Sequence, residues 1–248
     1  MTAATPFASY LAAVRGQLAT AAVENSEAIG TAAQWISAAI IAGRPLYVFG
    51  ASHAGLLAQD LFYRAGGLVP VVPILPAGLM LNERPVQRTS RLERLPGVAR
   101  TFMEDVGLRS GDVIVVISVS GRNPAPLEVC EYAQAVGARV VALTSVAFSA
   151  AQESRGRRRL YEIADLTLDL PVVPGDAVVA IDGLEILVGP TSSAVGAAML
   201  HGLMCEVTGQ LLASGIEPPV FVSGNVDGSD ERNEQLLERY RDRLGYAG

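Results

Sequence analysis

Three short segments place glycine, hydroxyl and amide residues where an apolar run gives way to a helical pattern. They are Gly50-Ala51-Ser52-His53, Ser118-Val119-Ser120-Gly121-Arg122-Asn123 and Thr191-Ser192-Ser193. The first N–H groups of a helix have no intrahelical partner and carry partial positive charge, and Ser or Thr hydroxyls add donors. Such loops suit a phosphate held without any net positive charge on the chain. Each loop also reads as ordinary capping, for which Ser, Thr and Asn are the preferred residues. Two of the three follow strands of one expected sheet, which favours a shared ligand site.

Proton transfer would draw on few groups. The two histidines are His53, within the first loop, and His201, within a long apolar helical stretch where a core or interface role is the plainer reading. The carboxylates that qualify as a general base are Glu83 and Glu93 in a polar segment, which also read as solvated loop charge, and Glu206 among apolar neighbours. If buried, Glu206 would need a partner or a raised pKa. Asp60 and Arg64 fall on the helix after the first loop, and Arg64 is a candidate partner for a phosphate or sugar acid. A dinucleotide cofactor is rejected: Gly50 and Gly55 suggest a glycine-rich turn, but its middle glycine is Ser52 and no acidic residue ends the next strand. No cofactor is expected, nor a metal, because His53 and His201 are not at ligand spacing with Cys or carboxylates.

These loops need a frame. Apolar residues from Phe7 to Ala42 recur at helical spacing and predict one or two amphipathic helices. Leu46 to Phe49, Val69 to Ile74, Asp112 to Ser118, Arg139 to Leu143 and Ile163 to Leu170 read as strands, with Pro70 and Pro73 arguing for an edge position. Between them fall helices His53–Ala65, a polar loop from Asn82 to Leu95 running into a helix that ends near Gly107, Pro124–Val136 with proline at its first position, and one capped by Thr144 or Ser145 reaching about Arg155. Strand, loop and helix in repetition predict a parallel sheet covered by helices on both faces, with ligands at the carboxyl ends of the strands. Then come a hairpin of Val178–Ile181 and Leu184–Leu187 around Asp182-Gly183, a long helix Thr191–Leu212 and a charged helix Asp230–Leu244. There is no internal repeat.

Composition agrees with one α/β domain. The 248 residues are 50% hydrophobic and 18% charged, which excludes disorder, and the 25 glycines and 14 prolines are spread as turns. A net charge of −6 with 19 Lys and Arg argues against nucleic acid, and the basic run from Arg155 to Arg159 reads as a solvated face. Cys130 and Cys205, expected on different buried helices, make no disulfide framework, which fits a reducing, cytoplasmic setting. Neither a signal peptide nor a membrane span is expected, since Arg15 interrupts the alanine-rich start and no apolar stretch nears the roughly 20 residues of a span.

At this level of detail the chain resembles a known family. VFGASHAG (Val48 to Gly55), VISVSGRNPAPLEVCEYAQAVGARVVALTS (Val116 to Ser145) and VGPTSSAVGAAMLHGLMCEVTGQLL (Val188 to Leu212) are similar to the sugar isomerase (SIS) domain, particularly a single-domain branch similar to phosphoheptose isomerase. FYRAGGLVP, RLERLPGVA, PGDA and EPPVFVSGNVDGSDERN match that branch too, so the resemblance spans nearly the whole chain. It implies a three-layer αβα sandwich on a five-stranded parallel sheet: N-terminal helices over 1–44, an α/β core over 45–215 and a C-terminal extension over 216–248. It further implies a homodimer or homotetramer and a phosphosugar at the strand ends, often with residues from a neighbouring subunit. Ser118, Ser120 and Asn123, with Val119 and Gly121 between them, would hold the phosphate. Gly50, Ala51, Ser52 and His53 would line the sugar, and Thr191, Ser192 and Ser193 would close the site.

Two departures stand out. Ala54 replaces the serine that usually ends the first loop, and Arg232 stands where the branch usually carries histidine. The implied activity is aldose–ketose isomerisation through an enediol, with Glu83, Glu93 or Glu206 as base and His53 or His201 assisting ring opening. A non-catalytic phosphosugar sensor and an amino-sugar phosphate etherase or lyase are the alternatives.

Overall fold

The computed structural model describes residues 5–153, 155 and 158–244. Two helices open the chain, α1 (Pro6–Glu24) and α2 (Ser26–Ile41), and Asn25 separates them. The Asn25 amide donates to the carbonyls of Ala21 (3.2 Å) and Asp169 (2.9 Å), and its Oδ1 accepts from the Asp169 N–H (2.7 Å). One buried amide thereby pins the bend between two helices to the last strand of the sheet.

The sheet contains β1 (Leu46–Gly50), β2 (Val71–Ile74), β3 (Val113–Ile117), β4 (Arg139–Thr144) and β5 (Leu166–Asp169), all parallel, in the order β2-β1-β3-β4-β5. β1 and β3 are buried at every position, as continuous apolar runs covered on both faces must be. Successive side chains feed opposite layers. Leu46, Val48, Val113, Val115, Val141 and Leu143 join one apolar cluster, and Tyr47, Phe49, Ile114, Val116, Val140 and Ala142 join the other. Fully burying each such aliphatic side chain contributes about 1.5–3 kcal/mol. As Pro70 and Pro73 require, β2 is an edge strand; Leu68 forms an antiparallel bridge with Val220 of the C-terminal segment.

The crossovers follow the expected alternation. α3 (His53–Leu61) connects β1 to β2, α4 (Gln87–Glu93) and α5 (Arg100–Val106) lead into β3, α6 (Pro124–Ala135) connects β3 to β4, and α7 (Val146–Ala150) and α8 (Leu160–Ile163) precede β5. α2, α3 and the long α9 (Ser192–Ala213) cover one face, while α5, α6 and α8 cover the other. α10 (Ser229–Leu244) packs Tyr240 and Leu244 with Phe221 and Val69.

Some boundaries move. α3 stops at Leu61, because Tyr63 and Gly66 adopt positive φ (43° and 74°) before the chain turns to β2. α7 is only five residues long, capped by Ser145 Oγ accepting from Phe148 N–H (3.2 Å). The hairpin is real but wider: β6 (Ala177–Val179) pairs antiparallel with β7 (Val188–Pro190), and Asp182-Gly183 lies within an intervening loop. Leu184, Ile186 and Leu187, expected as strand residues, are exposed in that loop. Cys130 is buried on α6, where burial pushes its thiol up to about 12, whereas Cys205 is exposed on α9 rather than buried. Among the described residues, no helix is long and apolar enough to cross a membrane.

Candidate active site

Strand register brings the first two loops together. Gly50 is paired with Ile117, so Ala51–His53 and Ser118–Asn123 leave neighbouring strands side by side. This is the point where the strand order reverses, with β1 leading out to β2 and β3 to β4.

The first loop is built by close approach. A Cβ on Gly50 would lie 2.4 Å from the Ala54 backbone, and one on Gly55 2.6 Å from the Met80 side chain, so both glycines let α3 start hard against the strand end. Ser52 N–H donates to the Leu79 carbonyl (2.7 Å), and the residue is held at φ 56°, ψ −124° with no capping bond from its hydroxyl. That backbone region favours glycine; a serine held there is strained. His53 is exposed at the first position of α3.

The second loop is fastened through its carbonyls. Val119 O accepts from Ser145 N–H (3.0 Å) and Thr144 Oγ1 (3.3 Å), and Gly121 O accepts from Leu160 N–H (2.8 Å). Gly121, at φ 56°, has no space for a side chain, because a Cβ would meet Thr144 Oγ1 at 2.7 Å. Ser118 is buried and Ser120 half-buried, and neither hydroxyl has a protein partner among the described residues. α6 begins Pro124-Ala125-Pro126, so two of its first three residues lack an N–H. Its N-terminus therefore offers fewer backbone donors than the sequence pattern suggested.

Side chains supply the difference. Asn123 makes no capping bond to its own helix. Its Oδ1 accepts from Arg155 Nη1 (2.9 Å), and its side chain lies close enough to the carboxylate of Glu93, at the end of α4, to lower that group's pKa. Burial raises the Glu93 pKa above the usual carboxylate range, opposed by the Asn123 side chain and by the charges of Arg94 and Arg155. Partial desolvation and the like charges of Arg122 and Arg94 lower the Arg155 pKa, which Glu93 raises. Glu93, Asn123 and Arg155 thus form one interacting group beside the serine loop. The carboxylate of Glu128 holds the segment after Glu93 on α6, accepting from Gly97 N–H (2.6 Å) and Ala99 N–H (3.1 Å). Arg155 is exposed, as a solvated basic face predicts, and in addition it bonds Asn123. Of its neighbours in the run, Arg159 does bond only the chain itself, donating to Ser149 O (2.9 Å) and Gln152 O (2.6 Å), while Gly156 and Arg157 lie outside the described residues.

The other candidates separate. Glu83 lies three residues past Met80, beside the first loop, and pairs with Arg88 at 3.7 Å. Thr191 and Ser192 are buried and occupied: Asp176 Oδ1 accepts from Thr191 N–H (3.0 Å) and Ser192 N–H (2.8 Å), and Oδ2 from Ser192 Oγ (2.5 Å). Ser193 is exposed. His201 sits midway along α9, with Nε2 2.7 Å from Asp60 Oδ2 and 3.1 Å from Arg64 Nη1, and Arg64 pairs with the same carboxylate. This group lies on the opposite face of the sheet from Glu93. Glu206 is exposed rather than buried, because α9 turns it to a groove against α1 and α2; its contact is Gln210 (3.4 Å). Arg232 pairs with Glu217 at 3.2 Å. Among the described residues, no three His, Cys, Asp or Glu side chains converge as metal ligands.

A parallel sheet in this order, with glycine and serine loops at its switch point, defines the doubly wound α/β class, in which ligands sit beyond the strand ends. The chain belongs to the SIS domain family, whose model matches residues 9–145. It is 43% identical over 225 residues to a UPF0309 protein of Shouchella clausii, covering 90% of this chain and 92% of the relative. A UPF0309 protein of Brucella canis is 44% identical over 212 residues, 86% of each chain. Two solved phosphoheptose isomerases share the fold. That of Neisseria gonorrhoeae aligns with a TM-score of 0.55 at 15% identity over 82% of this chain and 97% of its own, and that of Francisella tularensis with 0.53 at 19% identity over 80% and 94%.

Proposed function

We propose that the protein binds a sugar phosphate at the ends of β1 and β3 and interconverts its aldose and ketose forms through an enediol. The observation that carries this reading is the group of Glu93, Asn123 and Arg155 beside the unpartnered hydroxyls of Ser118 and Ser120. It sets a cation and hydroxyl donors suited to a phosphate next to a half-buried carboxylate with a raised pKa, a stronger base than an ordinary glutamate. Phosphoheptose isomerases with this fold lend the reaction class.

In this scheme Ser118, Ser120, Asn123 and Arg155 hold the phosphate, and Gly50–His53 line the sugar. Glu93 takes the proton from the carbon beside the carbonyl. The hydroxyl on that carbon passes its proton to the carbonyl oxygen through the enediol, and the resulting carboxylic acid returns the carbon-bound proton to the former carbonyl carbon. His53 is the residue of this chain best placed to assist ring opening.

The scheme includes a second copy of the chain. His201 and Asp60 do not meet Glu93 within one subunit, and α1, α2 and α9 leave a groove of about 500 Å³ lined by Leu18, Ile29, Ala198 and Gly202. A monomer by light scattering would remove His201 from the reaction.

The direct test is solvent deuterium exchange followed by NMR across hexose, amino-hexose and heptose phosphates. Deuterium appearing beside the carbonyl with wild type and not with Glu93→Gln supports the reading. No exchange with any of them, despite tight binding, would leave a phosphosugar sensor.

A further inference from the structure

Resting on the phosphosugar reading, we infer that the preferred ligand carries a second anionic group, a carboxylate or another phosphate, which meets Arg94 and Arg122 at the rim of the same site. The observation is a local excess of guanidinium groups in an acidic chain. Arg122 follows Gly121 in the serine loop, and its carbonyl accepts from the Arg155 N–H (3.2 Å). Arg94 ends α4 immediately after Glu93. Arg155 lies within the field of both. Arg94 and Arg155 act on the Glu93 carboxylate and Arg122 acts on Arg155, so three cations share a neighbourhood with one carboxylate in a protein whose net charge is −6.

Their bonds leave this charge uncompensated. Arg155 is turned toward Asn123, and Arg122 donates to the Glu153 carbonyl (3.1 Å), a neutral acceptor that orients the guanidinium without cancelling its charge. Among the described residues, neither Arg94 nor Arg122 forms an ion pair, whereas Arg88, Arg100 and Arg159 each have a carboxylate within 4.0 Å. Like charges gathered in this way favour an anion from outside.

One phosphate does not account for all three. The Ser118 and Ser120 hydroxyls, Asn123 and Arg155 already offer a phosphate hydroxyl, amide and guanidinium donors on the β3 side of the site. Arg94 belongs to a different element, at the end of α4. A guanidinium forks onto carboxylate or phosphate oxygens in pairs, so Arg94 and Arg122 suit a planar or tetrahedral anion at the far end of the sugar. Phosphoaldonates and sugar bisphosphates share this chemistry.

The experiment is calorimetric titration at low salt with a matched set: a hexose 6-phosphate, the corresponding 6-phosphoaldonate and a hexose 1,6-bisphosphate. Wild type should bind one of the doubly anionic ligands at least about tenfold more tightly than the monophosphate, and which one identifies the second group. Arg94→Gln and Arg122→Gln should erase most of that preference and shift the monophosphate Kd by less than about twofold. Equal affinities in wild type would overturn the inference and leave the phosphosugar reading standing. Variants that weaken all three ligands alike would also overturn it, assigning the arginines to the single phosphate. If no ligand of the set binds, both readings fall; circular dichroism of each variant excludes misfolding as the cause of any loss.

Discussion

Two helices in this protein begin with nearly the same chemistry and come to opposite ends. α6 follows Ser118-Val119-Ser120-Gly121-Arg122-Asn123, and α9 follows Thr191 with Ser192 and Ser193 as its first residues. At α9 the chain supplies its own anion, because Asp176 accepts from both leading N–H groups and the Ser192 hydroxyl. At α6 no carboxylate takes up the serine hydroxyls: they stand unpartnered, two prolines thin the backbone donors, and the one nearby carboxylate, Glu93, acts on Asn123 instead. Serine and threonine at a helix start do not separate a cap from a ligand site. What separates them is whether a carboxylate occupies the hydroxyl and leading N–H donors or leaves the hydroxyls open.

The largest effect should fall on the chemistry at α6. Glu93→Gln keeps the size but removes the base, so deuterium exchange should drop by about 10²–10⁴-fold, with sugar phosphate affinity changed only a few-fold. The pH profile sharpens this. Burial raises the Glu93 pKa, and a base acts only when ionised, so the acid limb of kcat/KM should lie above the ordinary glutamate value of about 4.3. The Asn123 side chain and the Arg155 charge oppose the rise, so Asn123→Ala or Arg155→Gln should move the limb to still higher pH. Stability runs the other way. A raised folded-state pKa favours the protonated form, so folding loses stability as pH rises from the unfolded value through the folded one. Glu93→Gln should therefore be at least as stable as wild type at pH 7 in urea unfolding, with the difference closing in acid. A less stable variant would make Glu93 a structural group.

At α9 the large effect should fall on folding. Asp176→Ala strands two N–H groups and a buried hydroxyl, and losing several charge-assisted bonds should cost about 2–4 kcal/mol in denaturant unfolding. The same variant breaks the comparison if it is sound: with its internal anion gone, the α9 terminus should gain stability from millimolar inorganic phosphate beyond that seen with wild type. Unchanged stability would mean that Asp176 is a bystander. Next in size, Ser120→Ala should weaken sugar phosphate binding about tenfold, the effect of one hydrogen bond to a charged group at roughly 1.5 kcal/mol. Ser193→Ala should change it less than twofold.

This contrast marks how far the sequence could be read. The sheet was legible because strands buried on both faces are continuous apolar runs, and β1, β3 and β4 stand between glycine, proline and hydroxyl boundaries that chemistry requires. The edge position of β2 followed from its prolines. The two adjoining loops were legible as well, since both leave strands of one sheet. Arg155 was not, because its link to Asn123 joins residues 32 apart through tertiary packing, and in sequence it sits among arginines that bond their own backbone. Asp176 was hidden for the same reason, fifteen residues before the helix it caps. Glu206 misled because apolar neighbours in sequence say nothing of which side of α9 a residue occupies; it faces an open groove. The hairpin misled because Asp182-Gly183 is a good turn that here sits inside a longer loop.

The smallest expected effect concerns the loop beside α6, and it asks whether strain there serves the ligand. Ser52 occupies φ 56°, ψ −124°, a conformation natural to glycine, and its hydroxyl makes no capping bond. If the serine is kept for folding, Ser52→Gly should destabilise the protein or leave it unchanged. If it is kept for the sugar, relief of the strained backbone should outweigh the extra entropy of an unfolded glycine, which is under about 1 kcal/mol, and the midpoint of thermal unfolding should rise by a few degrees. Sugar phosphate affinity should then fall several-fold in the same variant. Gly50→Ala, two residues away, is the control, because its Cβ would strike the Ala54 backbone and should destabilise with or without ligand. Opposite signs of stability and binding at Ser52, against a loss of both at Gly50, would divide the first loop into a glycine that builds the site and a serine that uses it.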